Sequence, residues 1–163
     1  MSIKTLRNAA IAFALVAIAA PSAQAQTATQ TVTFAVNAIN QIAITGAPSL
    51  TITTAVAGSA PTSVTDASSA WAVTTNQTGA KISASIPSNM PAGLTLSANL
   101  AAPTGATSAS FQSLSTVSVD LVTAITKLAQ GSLTATYKLD ATAAAGVVAS
   151  ATRLVTYTIS GGV

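Results

Sequence analysis

The sequence predicts an antiparallel β-sandwich of immunoglobulin-like type with about seven to nine strands. Three observations carry that expectation. Short runs with apolar residues at every second position recur along the chain, clusters of Gly, Pro, Asn and Ser separate them, and Thr is abundant where the pattern calls for polar residues. Side chains of a strand alternate between its two faces, and the branched Cβ of Thr suits a pleated surface whose hydroxyl side meets water.

Ahead of the strands, MSIKTLRNAAIAFALVAIAAPSAQA places Lys4 and Arg7 before an apolar run from Ala9 to Ala20, followed by Pro21 and the small-residue triplet Ala23-Gln24-Ala25. This is the layout of a secretory signal peptide over residues 1–25, bacterial in character. The apolar run is shorter than the ~20 residues a spanning helix requires, and no later stretch is longer, so no transmembrane segment is expected in the mature chain. Residues 26–163 are expected to form one β-sandwich domain.

Gln26 to Gln30 is a short polar lead. Thr31 to Ile44, TVTFAVNAINQIAI, places Val32, Phe34, Val36, Ala38, Ile42 and Ile44 at one parity. That describes one long strand, or two with a bulge or hinge at Asn37 to Asn40. Gly46-Ala47-Pro48 is a turn, and Leu50 and Ile52 mark a second strand within LTITTAV. Gly58 to Ser69 is predicted to be a loop from its Gly, Pro, Ser and Asp content. AWAVTTN follows with Trp71 and Val73 on one side, then KISASI with Ile82, Ala84 and Ile86, stopped by Pro87.

Ser88 to Gly93 is turn chemistry, and LTLSANL points Leu94, Leu96, Ala98 and Leu100 inward. Pro103 to Ser110 is a loop, and Val117, Val119 and Leu121 alternate through STVSVDL. Leu121, Val122, Ile125 and Leu128 fit either a turn of helix ended by Gly131 or a continued strand. Leu133, Ala135, Tyr137 and Leu139 form a strand. The Ala-rich run from Ala141 to Ala151 has no polar face and joins strands as a loop. Val155, Tyr157 and Ile159 alternate in the last strand. The expected core includes Phe34, Trp71, Tyr137, Val155, Tyr157 and Ile159.

Only 6% of the residues are charged and 50% are hydrophobic. Without the signal segment the formal charge falls from +3 to +1, with Lys81, Lys127, Lys138 and Arg153 against Asp66, Asp120 and Asp140. Four scattered cations make no footprint for nucleic acid. A nearly neutral Thr/Ser surface provides little charge repulsion between copies.

The chain has no His, no Cys and no Glu. A serine nucleophile would therefore need a base drawn from three dispersed Asp or from the lysines, so no catalytic residue is assigned and the protein is expected not to be an enzyme. The three Asp lack the spacing of a Ca²⁺ loop and Asp66 in TDAS suits a local turn, so neither metal nor cofactor is expected. Trp71 alternates with Val73 and has no aromatic neighbours, which favours a core position over a sugar-stacking platform. Asn76-Gln77-Thr78 matches a glycosylation sequon, a pattern common by chance and discounted here beside a signal of bacterial character.

The long alternating run behind the signal, the Cys-free all-β body and the closing Val155-Thr156-Tyr157-Thr158-Ile159-Ser160-Gly161 strand together resemble bacterial fimbrial subunits of the alternate-chaperone kind. The resemblance covers the two ends and the general strand pattern. It implies that the N-terminal segment is a donor strand inserted into a neighbouring subunit, with Val32, Phe34, Val36 and Ala38 as the assembly strand. This chain departs from that pattern in having only Gln26 to Gln30 before the strand, so Thr31 to Ala38 would be donor and Gln41 to Ile44 the start of the body. The expected function is a self-associating subunit of a cell-surface or extracellular assembly, with other exported proteins as further partners. If the strand folds back into its own domain, the protein is a secreted or periplasmic binding module.

Export makes a direct expectation. N-terminal sequencing of the protein recovered outside the cytoplasm should begin at Gln26, and a product beginning at Met1 would exclude cleavage after Ala25.

Overall fold

In the computed structural model, residues 24–162 are described. The expected signal segment therefore lies almost wholly outside them. The chain divides at Val36. Before it, residues 24–35 carry no regular secondary structure and are exposed throughout. From Val36 onward the chain holds two antiparallel sheets.

The strands are β1 (Asn40–Thr45), β2 (Val64–Thr75), β3 (Ala80–Ser85), β4 (Leu94–Leu100), β5 (Thr107–Ser108), β6 (Gln112–Ser113), β7 (Val119–Ile125), β8 (Leu128–Ala141) and β9 (Thr156–Ser160). One sheet has the order β1-β2-β8-β4-β6 and the other β5-β7-β3-β9. Both contribute to one apolar core, with Trp71 and Val73 from β2 and Leu96 and Leu100 from β4 on one side, and Ile82 from β3 and Leu121, Val122 and Ile125 from β7 on the other. This arrangement is consistent with a β-sandwich. A three-residue 3₁₀ turn at Ala143–Ala145 is the sole helical element among the described residues. None of their helices is long and apolar enough to cross a membrane, a statement that does not extend to β-barrels.

β4 forms where the alternation predicted it, between the turn ending at Gly93 and the small-residue loop after Leu100. The Ala-rich run is a connector apart from its 3₁₀ turn, and β3 and the second half of β2 also follow the pattern. Other segments differ. Val64–Ser69, expected in a loop, is the first half of β2, because β8 supplies a ladder from Leu139 to Ala135 against it. Leu50 and Ile52 are half-buried at alternate positions but lie in no strand; the sole pairing there is an isolated bridge between Ala55 and Pro61. For Leu121 to Leu128 the structure takes the second of the two expected alternatives, a strand that continues to Ile125 and then turns. Leu121 and Val122 are both buried because the β3–β7 ladder shifts register on either side of Ile82.

The largest correction concerns Phe34. Expected in the core, it is 90% exposed. The first ladder begins only at Asn40, paired with Thr75, so the alternating residues before it have no sheet of their own chain on which to lay a face. Trp71 and Tyr137 are buried as expected, while Val155, Tyr157 and Ile159 are half-buried and pack against the core.

β1 ends against a close approach. At Gly46, with φ +111°, an added Cβ would lie 2.7 Å from Ser69 Oγ and 2.8 Å from Ser69 Cα. Only glycine lets the chain leave β1 across the bulge that β2 makes between Asp66 and Ser69.

The exposure contrast sets the mutational outcome. Trp71→Ala should lower unfolding free energy by about 3–5 kcal/mol. Phe34→Ala should leave the denaturant midpoint of the isolated subunit unchanged, as measured by urea titration at low protein concentration.

Candidate functional site

The two sheets meet along one side through their edge strands β1 and β9, but neither strand runs the full length of that side. β1 covers β2 only from Thr75 to Ala70, so Val64–Ser69 has no strand partner on its β1 side. β9 covers β3 from Ser160 opposite Lys81 to Thr156 opposite Ser85. Below these ladders, residues 46–55 and 147–155 flank a groove without pairing to one another.

Two adjoining cavities of about 640 Å³ and 530 Å³ make up this groove. They share Leu50, Met90, Leu139, Ala151 and Arg153 as lining. The larger extends toward Ile52, Pro91 and Val148, and the smaller toward Ile44, Leu96, Tyr137 and Tyr157. The lining is mainly apolar, with the β4 and β8 side chains Leu96, Tyr137 and Leu139 contributing from the core side.

The walls carry main-chain groups without strand partners. Among the described residues, 147–155 make no main-chain hydrogen bond to other main chain. On the opposite wall the Ser49 amide donates to Asp66 Oδ2 at 2.9 Å, and Asp66 Oδ1 accepts from the Ser68 amide at 2.7 Å. Hydrogen bonds from Ser68 and Ser49 hold the Asp66 carboxyl below the usual range. Asp66, expected to order a loop, instead sits in β2 at its bulge, where it holds the Ser68 amide and ties the groove wall to β2.

Two aromatic side chains join the sheets at the end of the groove near β9. Tyr137 on β8 and Tyr157 on β9 share a hydroxyl–hydroxyl hydrogen bond of 2.7 Å. Burial first, and then this bond, raises the Tyr157 hydroxyl well above its ordinary pKa.

At the other end of β1 the chain is clasped. The Asn76 amide donates to the Asn37 carbonyl at 2.7 Å, while its side-chain oxygen accepts from the Ile39 amide at 2.8 Å. Thr75 Oγ1 donates to Asn40 Oδ1 at 2.6 Å. The segment expected to be a hinge, Asn37 to Asn40, is thus held in a fixed position, and the sequon asparagine is part of the clasp. Upstream, Val32, Phe34 and Val36 are 72%, 90% and 80% exposed, and Ala38 is exposed too.

The remaining polar side chains are dispersed. Asp120 pairs with Lys81 at 3.0 Å, and Asp140 accepts from Ser63 and pairs with Lys138 at 3.0 Å. Among the described residues no three His, Cys, Asp or Glu side chains come together. Trp71, 1% exposed, presents no ring face to solvent, and its indole nitrogen has no hydrogen-bond partner.

The groove itself was missed in the sequence. Leu50 and Ile52 signalled a strand-like face, and Arg153 lies at the parity of Val155 and Tyr157, but neither observation reveals that the two segments face each other. Comparison with family models, curated proteins and solved structures finds no match for this chain.

The tyrosine pair sets a pH dependence. Tyr157 has a folded-state pKa above its ordinary value of 10.0, so the folded state retains a proton that the unfolded chain releases. Its contribution is complete below pH 10 and is lost as pH rises above it. At pH 11 the wild type should lose about 1 kcal/mol more stability, relative to pH 8, than Tyr157→Phe does, read from urea midpoints.

Proposed function

We propose that this protein is an exported structural subunit of a cell-surface or extracellular assembly, with Thr31 to Val36 of one copy completing the open side of the next, while Ala38, expected in the same strand, is held in the clasp of its own body. The body is read as an immunoglobulin-like sandwich, and the preceding segment as a signal peptide that directs it out of the cytoplasm. One observation carries the proposal: the chain has both an apolar groove flanked by unpaired main chain and an exposed segment whose apolar side chains repeat at strand spacing. A strand added there gains main-chain hydrogen bonds along its length, while Val32, Phe34 and Val36 enter the groove. Each such side chain contributes about 1.5–3 kcal/mol on full burial.

Covalent reach favours a second copy as the source. Asn37 is clasped at the end of β1 that lies beside Thr75, whereas the groove begins at Ile44, near the other end of β1. From Asn37 back to Val32 the chain spans at most ~18 Å, about the length of β1 itself. A chain's own Val32 to Val36 is therefore too short to lie along its own groove.

Neither flanking segment carries a Lys, and inward or edge lysines are the usual protection against such pairing. The second reading, a secreted binding module, is favoured by the same groove, which would take an extended apolar segment from another protein.

The mature chain should form polydisperse assemblies by light scattering at micromolar concentration and filaments by electron microscopy. Phe34→Asp, or removal of Gln26 to Val36, should return a monomer. A wild-type chain that stays monomeric while binding apolar peptides would instead support the module.

A further inference from the structure

We infer that Arg153 is the register-setting residue of the groove, and that its partner is the side-chain carbonyl of Gln30 on the incoming strand of another copy. This deepens the self-assembly reading and rests on it.

Arg153 is placed differently from the other cations of the body. Lys81 and Lys138 pair with Asp120 and Asp140, and Lys127 is exposed. Arg153 is half-buried and lines both cavities of the groove. It shares the parity of Val155, Tyr157 and Ile159, the half-buried side of that segment, while Leu154 between them is 72% exposed. Its Nε is buried without a hydrogen-bond partner, and one terminal nitrogen donates only to the carbonyl of the preceding residue, Thr152, at 3.0 Å.

A guanidinium carries five donors and no acceptor, so a strand that enters beside it must bring an oxygen or leave the charge without a partner. The incoming segment carries no carboxylate. On the face that presents Val32, Phe34 and Val36, the next side chain toward the N-terminus is Gln30, whose amide oxygen can accept a charge-assisted hydrogen bond.

Strand faces repeat every two residues, so an incoming strand can slip by two and still present apolar side chains to the groove. Gln30 opposite Arg153 breaks that degeneracy. A slip of two toward the N-terminus or C-terminus would set Val32 or Ala28 against the guanidinium instead. The groove thus accepts extended apolar segments in general, but holds this one against a slip of two in either direction.

Three variants of the mature chain test this: Gln30→Leu, Arg153→Met and the double variant, compared with wild type for the concentration at which assembly begins in sedimentation. Each single substitution should raise that concentration at least tenfold, because one polar partner is left buried and unmatched. The double variant should return to within about threefold of wild type, since removing both partners removes the mismatch. Gln30 lies in the exposed lead, so Gln30→Leu reports on pairing even if Arg153→Met disturbs the body. If wild type assembles and Gln30→Leu does so at the same concentration, or if the two single effects simply add in the double variant, the pairing is overturned while the assembly reading stands. If wild type remains monomeric, the assembly reading falls and this inference with it.

Discussion

The ladder between β2 and β8 is the interaction on which the rest of the body depends. β2 pairs with β8 from Val64 opposite Leu139 to Thr75 opposite Leu128, and β8 carries β4 on its other edge from Leu94 opposite Ala141 to Leu100 opposite Ala135. Trp71, Val73, Leu133, Ala135 and Tyr137 are brought to one face by this pairing, and that face is one wall of the core. With no disulfide, the position of every peripheral strand follows from this ladder and from the burial of that face. β1 covers only one half of β2's remaining edge, and at the other half Asp66 holds the Ser49 amide of the groove wall.

How much of this was legible in the sequence follows from what alternation reports. β4 was legible because its inward residues are Leu and Ala, its outward ones are polar, and turn chemistry bounds it. The first half of β2 was not, because VTDASS is small and polar and reads as loop; its place in the sheet is decided by β8, whose partner strand is far away in sequence. The stretch from Leu121 to Leu128 suggested a helical spacing because a bulge in the ladder brings consecutive residues Leu121 and Val122 inward. Ala124, near the end of β7, and Lys127, in the turn to β8, take positive φ values of 62° and 41°. Local pattern cannot separate that from a helix, since both displace apolar residues from strict alternation.

Phe34 and Leu50 teach a related lesson. Alternation at Val32-Phe34-Val36 and at Leu50-Ile52 was read as strand, and neither segment has a ladder in this chain. Periodicity says that a face is suited to being covered, but it does not say by what. The candidate site arises from this gap between local suitability and available partners. Its apolar lining was partly foreseeable, whereas Arg153 was counted among scattered cations because nothing in its neighbours shows that residues 46–55 lie across from it.

The Asn76 clasp has a consequence for symmetry. It fixes where the exposed segment leaves the body, at the end of β1 remote from the groove, so on the proposed reading the surface a copy offers and the surface it receives are different patches. A contact of that kind is heterologous: unless the copies exchange segments reciprocally or the rotation closes a ring, it leaves one free patch of each type however many copies are added. The product is a polar chain with two unlike ends, one displaying an unfilled acceptor and the other a free donor segment, and growth at the two would differ in rate. Termination would require a cap of different chemistry at each end.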